Sequence, residues 1–297
     1  MLIRIAPGDP ATVLAGVDNP NPDQIAALTK QFGLDKSYWE QFVIYVRNIL
    51  HGDFGYSFQY GRPVLDLIAE KIVPTVIISL TALVFAVTIG TLLGIYAARR
   101  NGSKFDQFLC QISYVFDSTP TFWLGLIFIL IFASKLKWFP TSGMVNLRAG
   151  YTGFRRVLDI MYHLFLPILT LVIVQFPYYF RIARSSVIQV MGEDFITTLR
   201  ATGMSESQIF NKYVLRNALI PTVTVLGSSL AFLLSGTLYI ETVFAWPGMG
   251  RLLYDSIGKR DYPLLSGLYL MIAISVAAMM IVVDIVYGLI DPRIKYE

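Results

Sequence analysis

The chain has 297 residues, of which 55% are hydrophobic and only 15% are charged, with a formal net charge of +4. A soluble domain carries about 25% charged residues, so this composition indicates a membrane protein. No cluster of Lys and Arg is dense enough to bind nucleic acid, and one cysteine with two histidines argues against a disulfide framework or a His/Cys zinc site.

Residues 1–72 have the pattern of an extracytoplasmic N-terminal region made of short helices and turns. Asn21-Pro22-Asp23-Gln24 predicts the start of a helix that Gly33 ends, because Pro is favoured at the first helical position and Gly after the last. Asp35 is placed to cap a second helix that runs to about Leu50. The first five residues resemble the end of an apolar span but are too few to cross a membrane.

Five later segments each contain about 20 mostly apolar residues, the length that a membrane helix needs. They cover residues 75–98, 108–133, 163–183, 221–246 and 268–290. None alternates as the strands of a membrane β-barrel do. The sequence therefore predicts an all-α integral membrane protein, with a membrane domain over residues 73–290 and a cytoplasmic tail over residues 291–297.

A pair of glycines lies in the first of these spans. Gly90 and Gly94 have the G-x-x-x-G spacing that lets two membrane helices approach closely, although a chance pair is about as frequent.

The basic residues predict which side each loop occupies. Short segments rich in Lys and Arg lie on the cytoplasmic side, and long segments count for little in this rule. Residues 99–106, the polar stretch 193–221 with its flanks and the C-terminal tail are dense in basic residues and fall on one side of a five-span chain. That side is predicted to be cytoplasmic.

The polar stretch 193–221 interrupts two apolar runs and reads as two short helices joined by a sharp turn. Glu193 and Asp194 suit a helix start, where the helix dipole favours anions. Gly203 suits the left-handed residue after a helix end, and Ser205 with Gln208 has the pattern of a capping box that opens the next helix. Apolar faces are predicted at Phe195, Ile196 and Leu199, and at Ile209, Phe210, Tyr213 and Val214.

Three carboxylates lie within or at the edge of predicted spans, namely Asp117, Glu241 and Asp284. An ionisable residue at membrane depth is a candidate for a transport path. The alternative is a hydrogen-bonded carboxylate that packs helices or faces a partner subunit, and that alternative weighs more for Glu241 and Asp284.

Motifs for chemistry are missing from the 297 residues. The sequence contains no phosphate-binding G-x-x-x-x-G-K-[ST] and neither G-x-S-x-G nor H-E-x-x-H. A membrane enzyme would need a paired set of catalytic residues, and an ion-coupled secondary transporter would show an internal repeat with broken helices. Neither pattern is convincing here, which leaves a conduit that does not itself catalyse a reaction.

Many motifs, in order along the chain, resemble the permeases of ATP-binding cassette importers. The stretch EDFITTLRATGMSESQIFNKYVLRNALIP is similar to the family's EAA loop. The stretches APGDP, GDFGYSFQYGRPVLDLI, PTFWLGLIFIL, HLFLPILTL, YYFRIARSSV, ETVFAWPGMGRLLYDSIGKRDYPLLSG and VDIVYGLIDPRIKY resemble the first-permease (B-type) subunit of the dipeptide, oligopeptide and nickel branch.

The resemblance implies a type I importer fold and a set of partners. These are a second homologous permease, two ATPase subunits that hold ATP and Mg²⁺, and an extracytoplasmic substrate-binding protein, in the cytoplasmic membrane of a bacterium or archaeon. Di- or oligopeptides are the expected cargo, with nickel, metal chelates or glutathione as alternatives. This chain itself is expected to hold no cofactor or metal and to catalyse no reaction.

The EAA loop of the family docks on the ATPase, which implies a coupling role for one run of residues here. The implied coupling residues are Glu193, Asp194, Leu199, Arg200, Ala201, Thr202, Gly203, Met204 and Ser205. Two features differ from the family. The family has alanine where Leu199 stands, and its members carry a first transmembrane helix before the APGDP stretch, so five spans are visible where the family has six. We expect about 20 further apolar residues encoded upstream.

Overall fold

A computed structural model describes residues 35–235 and 237–290, together with residues 22, 26 and 29. The expectations for the first five residues, the APGDP stretch, most of the helix predicted over 21–33 and the tail 291–297 lie outside the described residues. Where it is described, the backbone forms helices joined by loops, with an isolated β-bridge between Tyr56 and Pro63.

Helix α1 spans Tyr38–Leu50 and is capped by Ser37, not by Asp35 as the sequence predicted. The Ser37 hydroxyl accepts the backbone N–H of Glu40 at 3.3 Å, and the Glu40 carboxylate accepts the backbone N–H of Ser37 at 3.0 Å. This reciprocal capping box satisfies two N–H groups of the first turn, which a cap at Asp35 would leave open.

Helix α2 spans Val64–Arg99 and is longer than the apolar segment that predicted it. It begins eleven residues before that segment and continues through Pro74. The helix thus starts inside the region assigned to residues 1–72. Its first turn is buried against two later helical segments, as Val64, Leu67 and Ile68 pack with Met249, Leu252 and Leu264.

The second predicted span is a broken helix. Helix α3 spans Lys104–Asp117 and helix α4 spans Thr121–Lys135, and their axes meet at 97°. Pro120 cannot donate a backbone hydrogen bond, so a straight helix would end here. The hydroxyls of Ser118 and Thr119 donate to the carbonyls of Tyr114 and Val115 and satisfy the end of α3.

Helix α5 spans Gly153–Met191 and packs along α2. The closest approach is at the two glycines of α2. A Cβ added at Gly90 would lie 2.6 Å from the carbonyl oxygen of Phe176, and one at Gly94 would lie 2.6 Å from that of Phe180. The spacing Gly90-x-x-x-Gly94 is therefore a helix contact, as one of the two readings of the sequence predicted.

Helix α6 spans Asp194–Ala201, and α7 runs from the polar stretch into the membrane domain as Glu206–Ala231. The prediction that a new span begins at Pro221 was wrong. Pro221 lies in the first turn of a helical segment that starts at Ile220, where its missing N–H costs little, and the helix continues past it.

The prediction that residues 221–246 form one continuous span was also wrong. Helix α7 ends at Ala231, and the chain then folds back through α8, Leu238–Val243, and α9, Met249–Gly258. Helix α10 spans Tyr262–Ile290. In the described part of the chain, α2, α5, α7 and α10 are long and apolar enough to cross a membrane, and the bent α3–α4 pair makes a fifth candidate.

Two of the three predicted basic segments, residues 99–106 and the polar stretch 193–221 with its flanks, lie together at one end of the bundle, while the tail lies outside the described residues. Arg99 places its guanidinium 4.2 Å from the ring centre of Phe210 in the polar stretch. Arg184 of α5 forms a two-pronged ion pair with Asp106, at 2.6 and 2.7 Å. At the other end, the buried carboxylate of Asp261 accepts the hydroxyl proton of Ser57 and so ties the loop before α2 to the start of α10.

Candidate functional site

The turn between α6 and α7 has the left-handed glycine that its sequence predicted and one of the two hydrogen bonds of the predicted capping box. Gly203 has φ +81°, in the left-handed region where L side chains are strained. Its N–H donates to the carbonyl of Arg200 at 3.0 Å, and the Thr202 hydroxyl donates to the carbonyl of Leu199 at 2.8 Å. The Ser205 hydroxyl accepts the N–H of Gln208 at 3.4 Å and opens the next helix. The turn is therefore closed at both helix ends.

The inner side of this turn rests on the ends of two long helices. Ile196, Ile209, Phe210 and Val214 are buried with Ala98 of α2 and Val187 of α5. Leu199 and Met204 are half-buried at the edge of the same cluster. Phe195 departs from the prediction, since 38% of its surface is exposed. The packing fixes α6 and the start of α7 to the helices that lead into the membrane.

The outer side of the turn is exposed and polar. Glu193 occupies the N-cap position of α6 without a capping hydrogen bond from its side chain, and Asp194 lies in the first turn. The remaining exposed residues of the predicted coupling set are Arg200, Ala201, Thr202, Gly203 and Ser205. Next to them, a recess of about 330 Å³ is lined by Met204, Ser207, Gln208, Asn211, Lys212 and Tyr213. The predicted coupling residues thus share one accessible surface, apart from the half-buried Leu199 and Met204.

An ion pair crosses the turn. The guanidinium of Arg200 donates to Glu206, with Nε 2.7 Å from Oε1. This hydrogen bond lowers the pKa of the Glu206 carboxyl below its ordinary value and raises the pKa of Arg200. Glu206 therefore keeps its negative charge at any pH near neutrality.

The three carboxylates predicted as pathway candidates lie in different surroundings. Asp117 ends α3, and its carboxylate lies 3.0 Å from Nη1 of Arg181 on α5, with both side chains partly exposed. Asp284 is exposed on the side of α10. Glu241 of α8 is fully buried. The structure does not bring the three together at one site.

Glu241 holds the folded-back segment against α2. Its carboxylate accepts a hydrogen bond from the Thr75 hydroxyl at 2.9 Å and another from the backbone N–H of Arg251 at 3.0 Å. The Thr75 hydroxyl in turn accepts the N–H of Met249 at 2.7 Å. Since these N–H groups belong to the first turn of α9, the carboxylate is placed where the helix dipole favours a negative charge. These hydrogen bonds agree with the packing role that the sequence left as the alternative for Glu241.

The same segment is anchored by Trp246 and by two glycines. The buried indole of Trp246 donates to the carbonyl of Pro74 at 2.8 Å. A Cβ at Gly248 would lie 2.4 Å from the Glu241 carboxylate, and one at Gly250 would lie 2.7 Å from the backbone of Leu238. Only glycine fits these two positions without moving the buried carboxylate or the start of α8.

A cavity of about 450 Å³ between α2, α5 and α7, lined by both polar and apolar side chains, was not predicted from the sequence. Its walls come from separate parts of the chain. They are Ser79, Leu83, Gln175, Tyr178, Tyr179, Val225, Ser228, Ser229, Phe232, Leu233 and Thr237. None of the three candidate carboxylates is among them. Single hydroxyls scattered through apolar runs were the available signal, and their convergence depends on how the helices pack.

Residues 90–296 match the family model described as "Binding-protein-dependent transport system inner membrane component". The chain belongs to this family. Residues 1–81 match the model of the N-terminal part of the same membrane component. With its several apolar helices, the permease is a multi-pass protein of the bacterial cytoplasmic membrane.

Curated relatives cover the permease from end to end. A di/tripeptide transport system permease from Pseudomonas aeruginosa is 37% identical over 100% of this chain and 92% of its own length. A dipeptide transport system permease from Escherichia coli is 33% identical over 99% of this chain and 92% of its own length. A glutathione transport system permease from Escherichia coli is 37% identical over 100% and 92%.

Solved structures show the same fold. The permease is similar to a chain in the inward-facing MetNI methionine ABC transporter, with a TM-score of 0.59, 19% sequence identity and coverage of 76% of this chain and 97% of the other. A second crystal form of that transporter gives a TM-score of 0.60 at 17% identity. At this identity the likeness establishes a type I importer fold for the permease and carries no information on cargo.

Proposed function

We propose that this permease forms half of the translocation pathway of an ATP-driven importer of di- or oligopeptides. One observation carries the cargo assignment: relatives that match the chain over its whole length are named as di/tripeptide and dipeptide permeases. The glutathione permease matches as well, at 37% identity, so glutathione is the second candidate. Nickel, the other alternative from the sequence, has no such relative among those described above.

The proposed assembly contains four kinds of subunit. The permease pairs with a second homologous permease, two ATPase subunits bind at the cytoplasmic face, and a substrate-binding protein delivers cargo from outside. ATP and Mg²⁺ are held by the ATPase chains, and this chain holds no cofactor. The absence of a phosphate-binding loop from its sequence supports that division.

The exposed turn around Gly203 is the proposed contact with the ATPase. Its outer residues are accessible, while its inner residues are packed on α2 and α5. A movement imposed on the turn therefore reaches the long helices through buried side chains. The coupling residues proposed here are Glu193, Asp194, Leu199, Arg200, Ala201, Thr202, Gly203, Met204 and Ser205.

The test is uptake by the complete complex in proteoliposomes. The permease is co-expressed with its partner permease and ATPase subunits, and its binding protein is added outside. We expect uptake of a labelled dipeptide that requires hydrolysable ATP, with competition by unlabelled di- and tripeptides and little competition by Ni²⁺. Uptake of glutathione with no competition by ordinary dipeptides would replace the peptide assignment by the glutathione one. Uptake driven by an ion gradient without ATP would overturn both.

A further inference from the structure

A cluster of positive charge lies where α4 ends and α5 begins, at the end of α5 that is remote from the Gly203 turn. Residues 134–162 contain one acidic residue and five basic ones, which are Lys135, Lys137, Arg148, Arg155 and Arg156. All five basic residues are exposed, and none forms an ion pair with another residue that the structure describes. The side chain of the acidic residue, Asp159, is only 8% exposed, and its carboxylate accepts the backbone N–H of Asn146 at 2.7 Å. The surface therefore carries a positive charge without a counter-charge from the described part of the chain.

The length of α5 places this cluster at a membrane boundary. Residues 160–180 of the helix contain no Asp, Glu, Lys or Arg. At about 1.5 Å per residue, this run is about 32 Å long, close to the thickness of about 30 Å of the hydrocarbon core of a bilayer. Arg155 precedes the run by five residues and so lies roughly 7–8 Å beyond the hydrocarbon. That is the level of the lipid headgroups.

The end of α4 is held close to the same level. The Tyr162 hydroxyl of α5 donates to the carbonyl of Trp138 at 2.8 Å, and the ring of Phe139 stacks on that of Phe165 with the centroids 4.3 Å apart. The two lysines of the cluster lie one and three residues before Trp138. Trp138 is 59% exposed, and exposed Trp and Tyr side chains are enriched where a membrane meets water. The lysines are therefore placed at the membrane boundary, beside α5.

One side of α5 connects the basic cluster with the surface of the span. Arg155 and Tyr162 are seven residues apart, about two helical turns, so they share a side of the helix. Next to them runs a line of apolar residues at the spacing i, i+4, i+7 and i+11, each 47–74% exposed. These are Phe154, Leu158, Met161 and Phe165. Basic and apolar groups thus meet in one boundary layer, which suits a molecule with an anionic head and hydrocarbon tails. A water-soluble partner would match the charges and leave the apolar line unused.

We propose that Lys135, Lys137 and Arg155 bind the phosphate of an anionic phospholipid in the leaflet at this end of the bundle. The headgroup lies between the end of α4 and the first turns of α5, beside Trp138, and an acyl chain follows the apolar line of α5. Two observations carry the assignment: the charges of the surface and the phosphate are opposite, and the surface is continuous with the apolar surface of a span. The site concerns the lipid and does not depend on the identity of the cargo.

The test is a crosslink to a photoreactive phosphatidylglycerol that carries a diazirine in its acyl chain. The complete complex is irradiated with this lipid in detergent, and adducts are located by peptide mass spectrometry. We expect adducts within residues 134–165, competed by unlabelled phosphatidylglycerol much better than by phosphatidylcholine. One basic side chain near an anionic headgroup strengthens binding about fivefold. The triple variant Lys135→Gln/Lys137→Gln/Arg155→Gln should therefore lower the yield of these adducts by about tenfold or more, while adducts on α10 provide the internal reference.

The matched control is Arg156→Gln. Arg156 has the same charge and nearly the same level as Arg155, but it is six residues from Tyr162 and so lies on another side of α5. Arg155→Gln alone should lower the yield about fivefold, and Arg156→Gln should leave it close to wild type. Lys135→Arg/Lys137→Arg keeps both charges and should also stay close to wild type. All these positions are exposed, so none of the substitutions removes a buried contact.

An unchanged yield in the triple variant would overturn the lipid site. Equal losses in Arg155→Gln and Arg156→Gln would also overturn it, because they would indicate a general attraction by the net charge of this end. A triple variant that keeps the lipid adducts but loses affinity for the binding protein would assign the surface to that protein. Since no arm measures peptide uptake, these outcomes leave the proposed function standing, and failure of the proposed function would leave the lipid site standing.

Discussion

Arg200 and Glu206 face each other across the Gly203 turn, with the guanidinium Nε 2.7 Å from the carboxylate Oε1. The two residues belong to different helices, α6 and α7, and both are exposed. An exposed ion pair adds little to global stability. The pair links the last turn of α6 to the first turn of α7, so any effect it has is local to the turn.

We predict that ATPase binding and uptake depend on opposite charges at positions 200 and 206, and less on which position carries which charge. Arg200→Glu or Glu206→Arg alone should weaken co-purification of the ATPase, because each single variant places like charges across the turn. The double variant with both changes should recover a large part of binding and uptake. Recovery is measured as ATPase retained per permease after affinity purification. If the double variant is as poor as the singles, the two side chains contact the ATPase individually and do not act by holding the turn.

The Gly203 turn itself can be tested with a control of equal strain. Gly203→Val places a β-branched side chain in the left-handed region, at a cost of roughly 1–2 kcal/mol. Gly102 also has positive φ, at +80°, and neither glycine has an atom within 4 Å of an added Cβ. Gly102→Val is the control. Both valine variants should lower the unfolding temperature of the permease by similar amounts, but only Gly203→Val should lose uptake and ATPase co-purification. Wild-type uptake by Gly203→Val would remove residues 193–221 from the coupling role.

The contact between α2 and α5 predicts a stability effect without a change in cargo. Gly90→Ala would bring a methyl group to 2.6 Å from a backbone oxygen, which cannot move away without separating the helices. Overpacking of this kind typically costs about 1–3 kcal/mol. The unfolding temperature of the purified permease in detergent should fall. Gly125→Ala is the control, since its added Cβ meets side-chain atoms of Phe244 and Val243 at 3.2 Å or more. This variant should lower the unfolding temperature by less.

Glu241 should behave as a structural residue. Glu241→Ala leaves the Thr75 hydroxyl and the N–H of Arg251 without their acceptor, at about 1–3 kcal/mol for each buried group. The amount of folded permease should drop while uptake per assembled complex stays near wild type. Glu241→Gln keeps one acceptor oxygen and should reduce the amount of folded permease by less than Glu241→Ala does. A Gln variant that is as abundant as wild type and yet fails to transport would show that the charge itself serves transport.

Membrane orientation remains a prediction that labelling can decide. Asn146 is exposed in the loop between α4 and α5, on the side opposite to the Gly203 turn if the basic segments are cytoplasmic. Asn146→Cys in a Cys110→Ala background should react with an impermeant thiol reagent in intact cells. Ser205→Cys in the same background is the control and should react only after lysis. The reverse pattern would invert the orientation.

Local signals in the sequence were sufficient to predict the geometry of the Gly203 turn. Gly203 and Ser205 act through backbone geometry and hydrogen bonds within a few residues, so their roles can be predicted without knowledge of the fold. Composition and apolar length likewise predicted a helical membrane protein. The glycines at positions 90 and 94 were readable as a helix contact, but their partner, α5, was not.

The length of an apolar segment gave a wrong prediction where contacts between residues distant in sequence determine the path of the chain. Residues 221–246 are apolar enough for one span, yet the chain folds back because Glu241 finds its partners at Thr75 and at the start of α9. Such partners lie 166 and 10 residues away in sequence. The polar cavity was missed for the same reason, since Ser79, Gln175 and Ser228 meet only after three helices have packed.

Helix α7 joins the Gly203 turn to the cavity between α2, α5 and α7. Glu206, next to the Gly203 turn, and Ser229, in the cavity, belong to the single helix Glu206–Ala231. At about 1.5 Å per residue, the two lie about 35 Å apart along one axis. A tilt of about 5° about one end moves the other by about 3 Å over that length. A tilt of α7 would therefore carry a displacement of the Gly203 turn to the cavity as a rigid movement, alongside the buried contacts of the turn with α2 and α5, and its size would depend on where the helix pivots.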